Sequence, residues 1–279
     1  MFKIFVPKSF FYKISFLPFL TKFMFVDPLS KGSRGLAFGT VSRRTHRNRL
    51  SEIDFVLLDE LGVGVGQSNF VDIGCSTGIT TLDTYLFCKY QGINLDLYLN
   101  DPYSRVIVHK RWFAKKFSLL SGKTVYFKFL GLFAGYESRS LFISKIIFKL
   151  LERVSRWNYY SELNFFDDEV NFKLTKGELM IYDGDFFSEM ECSKKFHVIR
   201  VANVIRDGLF DNDALKYFVR NTFAHLEEGG ILIECRGDES GVGYAIYMKK
   251  GGSLFLKRIS DKFKSQLYET TVNNLFAQK

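Results

Sequence analysis

Cysteine and histidine are both scarce in this chain, and each shortage excludes a class of protein. The 279 residues include only four cysteines and four histidines. The cysteines form no C-x-x-C pair, which argues against a disulfide framework and predicts reduced thiols in a cytoplasmic protein. The histidines have no metal-ligand spacing, so we expect no structural zinc and no other bound metal.

Long uncharged apolar runs are also missing from the N-terminal region. Its longest uncharged stretch, residues 14–21, is far shorter than the roughly 20 residues that span a bilayer. The region also lacks the small-residue cleavage site of a signal peptide. The sequence therefore predicts neither a membrane span nor a secretion signal here.

Acidic residues are nearly absent from residues 1–49, where ten Lys or Arg accompany a single Asp. The net charge of the whole chain is +9, so residues 50–279 are neutral as a group. Eight phenylalanines lie among the first 25 residues. We interpret residues 1–49 as an arm that packs on the domain. The alternatives are contact with an anionic membrane surface and, less favoured, nucleic-acid binding through the basic run at 43–49.

A glycine turn carries the main chemical signal. An apolar run at 70–73 is followed by Gly74 and Gly78, and helical periodicity follows over 79–89. Glycine accepts positive φ and lets a ligand approach the backbone closely. A helix N-terminus adds unpaired N–H groups that can bind that ligand. The pattern predicts a turn that binds a nucleotide-type cofactor.

Two familiar nucleotide motifs do not fit this turn. A P-loop needs a lysine directly after its second glycine, where Ile79 stands, and a dinucleotide site needs Gly-x-Gly-x-x-Gly. The turn instead resembles the first motif of class I S-adenosylmethionine (SAM) methyltransferases, in which a strand ends in Asp-x-Gly-x-x-x-Gly. Its Cys-Ser-Thr-Gly run, which ends at Gly78, is especially similar to the loop of chemotaxis-receptor methyltransferases.

Later parts of the chain extend the resemblance in the family's order. Apolar runs at 95–99, 178–182, 196–201 and 230–235 correspond to the second to fifth strands of that fold. The resemblance implies that Asp101 holds the cofactor ribose, that Asp185 faces the adenine and that Phe186 packs on its ring. The residues assigned to SAM are Asp72, Gly74, Cys75, Ser76, Thr77, Gly78, Asp101, Asp185, Phe186 and Asn203.

The resemblance also implies an α/β fold class with a doubly wound, seven-stranded, mostly parallel sheet. A C-terminal antiparallel hairpin is expected from runs at 244–248 and 254–259 around a Gly-Gly turn, after a glycine-rich loop at 236–243. A helical pattern over 50–61 precedes the first strand. The predicted organisation is an arm at 1–49 and a SAM-binding domain at 50–279, with an insertion at about 103–176.

The insertion is the part expected to choose the substrate. About 75 residues separate Asp101 from Glu178, many more than a plain crossover needs. The insertion contains a strand-like run at 124–129 and an amphipathic helical pattern at 141–157 with a basic face. It leaves the carboxyl end of a strand, so it can reach over the cofactor. We interpret 141–157 as a lid or packing helix, with a helix lying on a membrane surface as the alternative.

The predicted function is methyl transfer from SAM to an unidentified acceptor, with a lipid-linked or membrane-proximal acceptor as a hypothesis. Such a transfer needs a general base only when the acceptor must lose a proton. No residue is assigned that role, and the weak candidates are Tyr103, His109, Asn203 and Asp207. The alternatives are a nucleic-acid methyltransferase and a non-catalytic protein of the same fold that acts as a membrane or partner adaptor.

Overall fold

A computed structural model describes residues 35–38, 41–44, 46–61, 67–111, 114–119, 124–129, 132–135, 158–205, 210–238, 241–261 and 263–268. The described residues divide into two compact units. The larger unit comprises those of 45–104 and 165–279, and the smaller unit comprises those of 1–44 and 105–164. The predicted boundaries of the arm and the insertion stay predictions. The predicted helix at 141–157 lies outside the described residues.

The described helices are α1 (Ser51–Leu61), α2 (Ile79–Tyr90), α3 (Asp168–Thr175) and α4 (Asn212–His225). The strands, in chain order, are β1 (Gly35–Phe38), β2 (Val41–Arg44), β3 (Ser68–Ile73), β4 (Leu95–Asn100), β5 (Arg105–Arg111), β6 (Ala114–Leu119), β7 (Thr124–Phe129), β8 (Leu132–Gly135), β9 (Asn158–Asn164), β10 (Met180–Ile181), β11 (Phe196–Ala202), β12 (Leu226–Asp238), β13 (Gly241–Lys250) and β14 (Ser253–Ile259).

A seven-stranded sheet forms the centre of the larger unit. Its strand order is β10-β4-β3-β11-β12-β13-β14. The first five strands of that order are parallel, and β13 and β14 pair antiparallel. The predicted seven-stranded, mostly parallel sheet with a C-terminal antiparallel hairpin is therefore confirmed.

Apolar side chains form two core clusters, one on each face of this sheet. One cluster joins α1, α2 and α3 to the sheet and includes Leu57, Leu82 and Val170. The other joins α4 to the opposite face and includes Phe218, Val71, Ile199 and Leu232. Central strands buried on both faces have near-continuous apolar sequences, which is the pattern seen in β3, β4 and β11. The doubly wound architecture is confirmed by this arrangement.

The segment after the fifth parallel strand differs from the prediction. Most of residues 236–243, expected to form a glycine-rich loop, belong to β12 and β13, which pair from Ile231↔Met248 to Asp238↔Gly241. Gly243 lies in the paired region, at a position where a side chain has no space. A Cβ on Gly243 would lie 2.7 Å from Cδ2 of Phe263. Gly243, which looked like a loop signal, thus allows close packing on a strand.

The smaller unit contains a five-stranded antiparallel sheet in the order β8-β7-β6-β5-β9. The predicted strand at 124–129 is β7, and it pairs with the preceding strand β6. The other strands of this sheet were not predicted, and neither was the two-stranded β1–β2 hairpin. No helix among the described residues is long and apolar enough to cross a membrane.

Candidate functional site

The turn between β3 and α2 depends on two glycines for both conformation and space. Gly74 and Gly78 have φ values of 72° and 77°. A Cβ on Gly74 would lie 2.2 Å from Cγ2 of Val204, and one on Gly78 would lie 2.5 Å from Cδ2 of Leu99. These positions therefore bring the turn into direct contact with neighbouring elements, which a larger residue would prevent.

Backbone hydrogen bonds fasten this turn to the end of β4. The N–H of Gly74 donates to the carbonyl oxygen of Asn100 at 2.7 Å. The N–H of Ser76 donates to Oδ2 of Asp101 at 2.9 Å, and the N–H of Tyr103 donates to Oδ1 at 2.9 Å. Asp101 is only 7% exposed. Two backbone donors therefore hold its carboxylate in one orientation at the carboxyl end of the strand.

Polar groups of the turn itself remain available for hydrogen bonding. The Ser76 hydroxyl is buried and finds no hydrogen-bond partner in the part of the chain that the structure describes. Gly78 is the N-cap of α2, and no side chain caps this helix end. An uncapped helix N-terminus offers its first N–H groups to water or to a ligand. The turn thus combines a hydroxyl, backbone donors and the oriented Asp101 carboxylate.

The other two turn residues, Cys75 and Thr77, have structural contacts. Burial raises the pKa of the Cys75 thiol well above its usual value, and the nearby carboxylates of Asp101 and Asp72 raise it further. Cys75 is therefore a neutral thiol and not an activated nucleophile. The carbonyl oxygen of Thr77 accepts a hydrogen bond from the N–H of Asp167 at 2.9 Å, which joins the turn to the start of α3.

The end of β11 completes the group of residues around the turn. Asn203 has a φ of 60°, and its N–H donates to the carbonyl oxygen of Cys235 at 2.9 Å. Its Oδ1 accepts a hydrogen bond from the N–H of Gly237 at 3.2 Å. Strand order reverses between β3 and β11, and doubly wound sheets bind ligands at such a switch point beyond the carboxyl ends of their strands.

The segment after β10 reaches the same region through Asn100. Its Nδ2 donates to the carbonyl oxygens of Tyr182 and Gly184, at 2.8 Å each. Asp185 is exposed, and its Oδ1 accepts a hydrogen bond from the N–H of Phe187 at 3.0 Å. The carboxylate therefore caps a tight turn at the edge of the region.

Phe186 lies in the core and presents no open face to a ligand. Its side chain is 1% exposed. The ring packs against Tyr182, Phe218 and His225 with centroid distances of 6.1, 6.4 and 5.1 Å. The structure thus uses Phe186 to join the segment after β10 to α4, in place of the expected stacking on an adenine ring.

Asp72 is held by a buried arginine that sequence reasoning missed. Arg200 on β11 is fully buried. Its Nε and Nη2 donate to Oδ1 and Oδ2 of Asp72 at 3.0 and 2.7 Å, and Thr81 donates to Oδ2 at 2.6 Å. Burial lowers the pKa of Arg200, but the Asp72 carboxylate outweighs this and raises it. Asp72 therefore anchors the strand below the turn, and both its oxygens are engaged by protein groups.

A second carboxylate, Asp54 on α1, belongs to the same buried network. Its Oδ1 accepts a hydrogen bond from the Thr84 hydroxyl at 2.6 Å and lies 3.5 Å from Nη1 of Arg200. Burial raises the pKa of Asp54 to about 6, against the opposing effects of Arg200 and Thr84. One arginine thus connects α1, α2, β3 and β11 beneath the glycine turn.

The raised pKa of Asp54 predicts a pH dependence of stability. The folded protein holds this proton up to about pH 6, whereas the unfolded chain releases it near the ordinary carboxyl pKa of 3.8. The contribution of Asp54 to the free energy of unfolding should therefore fall as pH rises through that window, by about 3 kcal/mol in total, and level off above it.

Urea unfolding of wild type and Asp54→Asn between pH 4 and 7.5 measures this contribution as the difference between the two proteins. Asparagine keeps an acceptor for the Thr84 hydroxyl but does not titrate. A variant whose stability follows pH in the same way as wild type would show that another group is responsible.

The catalytic candidates belong to different parts of the chain. Tyr103 is half-buried beside Asp101, and Asn203 lies next to the turn. His109 belongs to β5 in the smaller unit, where burial and the neighbouring Lys116 lower its pKa. Asp207 lies outside the described residues. No group of three or more His, Cys, Asp or Glu within the described ranges is arranged to hold a metal ion.

Comparison with known proteins finds similarity in structure but not in sequence families. No family model matches the chain, and no curated protein matches it. Solved structures do match, over 84 chains.

One match is a Plasmodium falciparum protein assigned as a protein-L-isoaspartate O-methyltransferase, solved with S-adenosyl-L-homocysteine. It is 13% identical, with 88% of this chain and 84% of that chain covered and a TM-score of 0.38. A SAM-dependent methyltransferase from Clostridium acetobutylicum is 13% identical, with coverages of 82% and 80% and a TM-score of 0.37. A SAM-bound amino pentose methyltransferase from Micromonospora echinaspora is 8% identical, with coverages of 82% and 81% and a TM-score of 0.35. At these similarities, the residues of this chain must themselves support any functional conclusion.

Proposed function

We propose that this protein is a class I SAM-dependent methyltransferase that binds SAM at the glycine turn and transfers its methyl group to an acceptor. The observation that carries the proposal is the bond from the Ser76 N–H to the Asp101 carboxylate. It joins a glycine turn to an acidic strand end at the point where the strand order reverses. Nucleoside cofactors are bound at this position in doubly wound sheets.

The residues around the turn have the chemistry that SAM requires. Backbone contacts orient the Asp101 carboxylate at the strand end, and this carboxylate is proposed to accept hydrogen bonds from the ribose hydroxyls. The buried Ser76 hydroxyl and the uncapped start of α2 supply donors for the carboxylate of the methionine portion. Asp185, at the edge of the region, is proposed to accept from the adenine amino group.

The mechanism asks the protein mainly to bind, align and exclude water. When bound, SAM supplies a methyl group on a positively charged sulfur that leaves as a neutral thioether. The Asp101 carboxylate and the donors of the turn would fix the cofactor relative to the strand ends, which reduces the entropy cost of an in-line displacement. Asn203 and Tyr103 are proposed to contact the acceptor. An acceptor that must lose a proton would additionally need a base.

Titration calorimetry with SAM and S-adenosylhomocysteine tests the first half of this proposal. We expect both to bind. Incubation of the protein with radiolabelled SAM and separated lipid, protein, RNA and small-molecule fractions of a lysate tests the second half. Label transferred to one fraction identifies the acceptor class. Cofactor binding without transfer to any fraction would favour the non-catalytic adaptor, and absence of binding would overturn the proposal.

We further propose that the acceptor is lipid-linked or membrane-proximal. Support comes from the sequence alone, through the basic, phenylalanine-rich residues 1–49 and the amphipathic pattern at 141–157. Lysine and arginine near an anionic surface each contribute about 1 kcal/mol of attraction, which salt screens. A membrane-binding arm would therefore act mainly by electrostatics.

Full-length protein is expected to float with vesicles of phosphatidylserine and phosphatidylcholine at low salt. It should remain at the bottom of the gradient with pure phosphatidylcholine or at high salt. A chain beginning at residue 50 gives the matched control, because it lacks the net charge of +9 carried by the arm. Equal flotation of both chains, or of neither, contradicts a membrane role for the arm.

A further inference from the structure

Two charged side chains near the end of β12 have buried hydrogen-bonding atoms that no group within the described residues satisfies. Glu234 is 1% exposed, and its Oε2 accepts from the Ser265 hydroxyl. The backbone at Gln266 and Leu267 also interacts with this carboxylate, but Oε1 makes no hydrogen bond within the described ranges. The Nε and Nη2 atoms of Arg236 are likewise buried and without a partner there. Buried polar atoms are usually hydrogen-bonded, so each exception requires an explanation. These two residues are two positions apart on a strand and so lie on the same face of the sheet.

Residues of β13 and of the segment after β14 surround this pair. Arg236 pairs in register with Gly243, whose missing side chain allows the Phe263 ring to lie over the sheet. The Cζ atom of Arg236 is 5.8 Å from the centroid of that ring. Beside Glu234, the Tyr247 hydroxyl is hydrogen-bonded to Ser265 at 2.5 Å. Arg236 as a whole is only half-buried, so the pair lies at the boundary between core and solvent.

The pair lies next to the site already described. Gly237, which follows Arg236, donates its N–H to Oδ1 of Asn203 at 3.2 Å. Val204, which follows Asn203, occupies the space against Gly74 in which a Cβ would clash. A short chain of contacts therefore leads from the glycine turn through the end of β11 to Arg236. The pair is thus at the carboxyl end of a parallel strand, where doubly wound sheets bind ligands.

The atoms involved indicate the kind of ligand. The same Nε–Nη2 edge of Arg200 binds both oxygens of Asp72 at 3.0 and 2.7 Å, which shows how this chain pairs a buried guanidinium with a planar carboxylate. Glu234 adds negative charge nearby and therefore opposes a dianion such as phosphate. Its free Oε1 suits a donor group. Burial raises the pKa of Glu234, which reduces this repulsion.

We propose that Arg236 binds a carboxylate group of the methyl acceptor through its Nε–Nη2 edge, and that Glu234 Oε1 accepts a hydrogen bond from a hydroxyl or amino group of the same molecule. That this molecule is the methyl acceptor rests on the proposed methyl transfer, whereas carboxylate binding by Arg236 does not. Arg236 is thus a substrate-binding residue, and the acceptor is an organic acid or a molecule that carries one.

Calorimetry and ligand-observed NMR with acetate, lactate and inorganic phosphate at constant ionic strength test this site. We expect wild type to bind acetate, to bind lactate more tightly because its hydroxyl reaches Glu234, and to bind phosphate more weakly than either. Arg236→Gln should lower acetate affinity by about tenfold or more, since hydrogen bonds to charged groups are lost. Arg236→Lys should recover only part of the affinity, because lysine lacks the planar pair of donors.

Two further variants sharpen the result. Glu234→Gln should remove the preference for acetate over phosphate, and Arg220→Gln, on the exposed face of α4, should bind all three probes as wild type does.

Acetate binding that is absent from wild type, or unchanged in Arg236→Gln, overturns the proposal and leaves ordered water as the partner of these atoms. SAM titrations on the same samples distinguish the two proposals, because Arg236→Gln should bind SAM normally. Acetate binding without SAM binding would retain this site and reject the proposed function.

Discussion

Replacing Arg200 with methionine is expected to lower the free energy of unfolding by about 3–5 kcal/mol at neutral pH. Methionine has a volume that can occupy the arginine site, so the loss of stability is mainly electrostatic. The change leaves the Asp72 carboxylate buried with only the Thr81 hydroxyl as a partner, and it removes the donor to Thr84. An uncompensated buried charge is among the few defects that cost this much. Urea unfolding monitored by circular dichroism measures the loss.

The buried network supplies its own controls for this prediction. Adding Asp72→Asn to Arg200→Met should restore much of the lost stability, since exchanging a whole buried ion pair for neutral groups costs far less than breaking it. The loss should also be smaller at pH 5 than at pH 7, because unpaired buried carboxylates bind protons more readily. The matched surface change Arg220→Met should alter stability by less than about 0.5 kcal/mol. A loss that the Asp72 substitution does not reduce would show that packing, and not charge, explains the role of Arg200.

Asp101→Asn is expected to weaken SAM binding by about 100-fold, or nearly 3 kcal/mol. Both carboxylate oxygens accept backbone N–H donors, from Ser76 and from Tyr103. An asparagine must therefore turn its NH₂ group toward one of these donors. The substitution thus weakens the hydrogen bonds proposed for the ribose and also disturbs the attachment of the turn. Calorimetry with SAM measures the affinity, and chemical unfolding reports the structural part separately.

A cofactor analogue without ribose hydroxyls identifies the contact. Wild type should bind the analogue more weakly than it binds SAM. Asp101→Asn should bind the analogue and SAM with nearly equal affinity, because the substitution and the missing hydroxyls remove the same interaction. Asp96→Asn gives a matched control on the same strand, since Asp96 bonds to Gln67 near the opposite end of β4. If Asp101→Asn bound SAM as tightly as wild type, the assigned site would be wrong.

The central strands were predictable because their signals are local. Phe70, Leu97 and Ile199 belong to short apolar runs that are buried on both faces of the sheet. The α1 pattern was equally clear, and the structure begins that helix one residue later than predicted. Strand β10 has only two residues at the sheet edge, although five were expected, because an edge strand pairs on one side and its length depends on its neighbour.

Weak local signals explain the main omissions. In the smaller unit, β5 to β8 pair with their neighbours along the chain, and among the described strands of this sheet the β5–β9 pair alone joins segments distant in sequence. Its alternating residues, such as Val106 and Val108 inward and His109 partly exposed, carry weak individual signals. The extension of the β12–β13 pairing was also missed, since Gly243 looks like a loop residue until the close approach of Phe263 is known.

The sequence alone determined the glycine turn and the acidic end of β4. Positive φ at Gly74 follows from the glycine pattern between β3 and α2, and the position of Asp101 follows from the end of the next apolar run. Only the tertiary structure decided what these groups touch. It placed Arg200 beneath Asp72, buried Phe186 against α4, and left Arg236 and Glu234 with unsatisfied atoms beside the turn. These outcomes depend on residues distant in sequence: Asp72 and Arg200 are 128 positions apart, and Phe186 and His225 are 39 apart. The burial that makes charge pairing decisive arises only when such distant segments pack together.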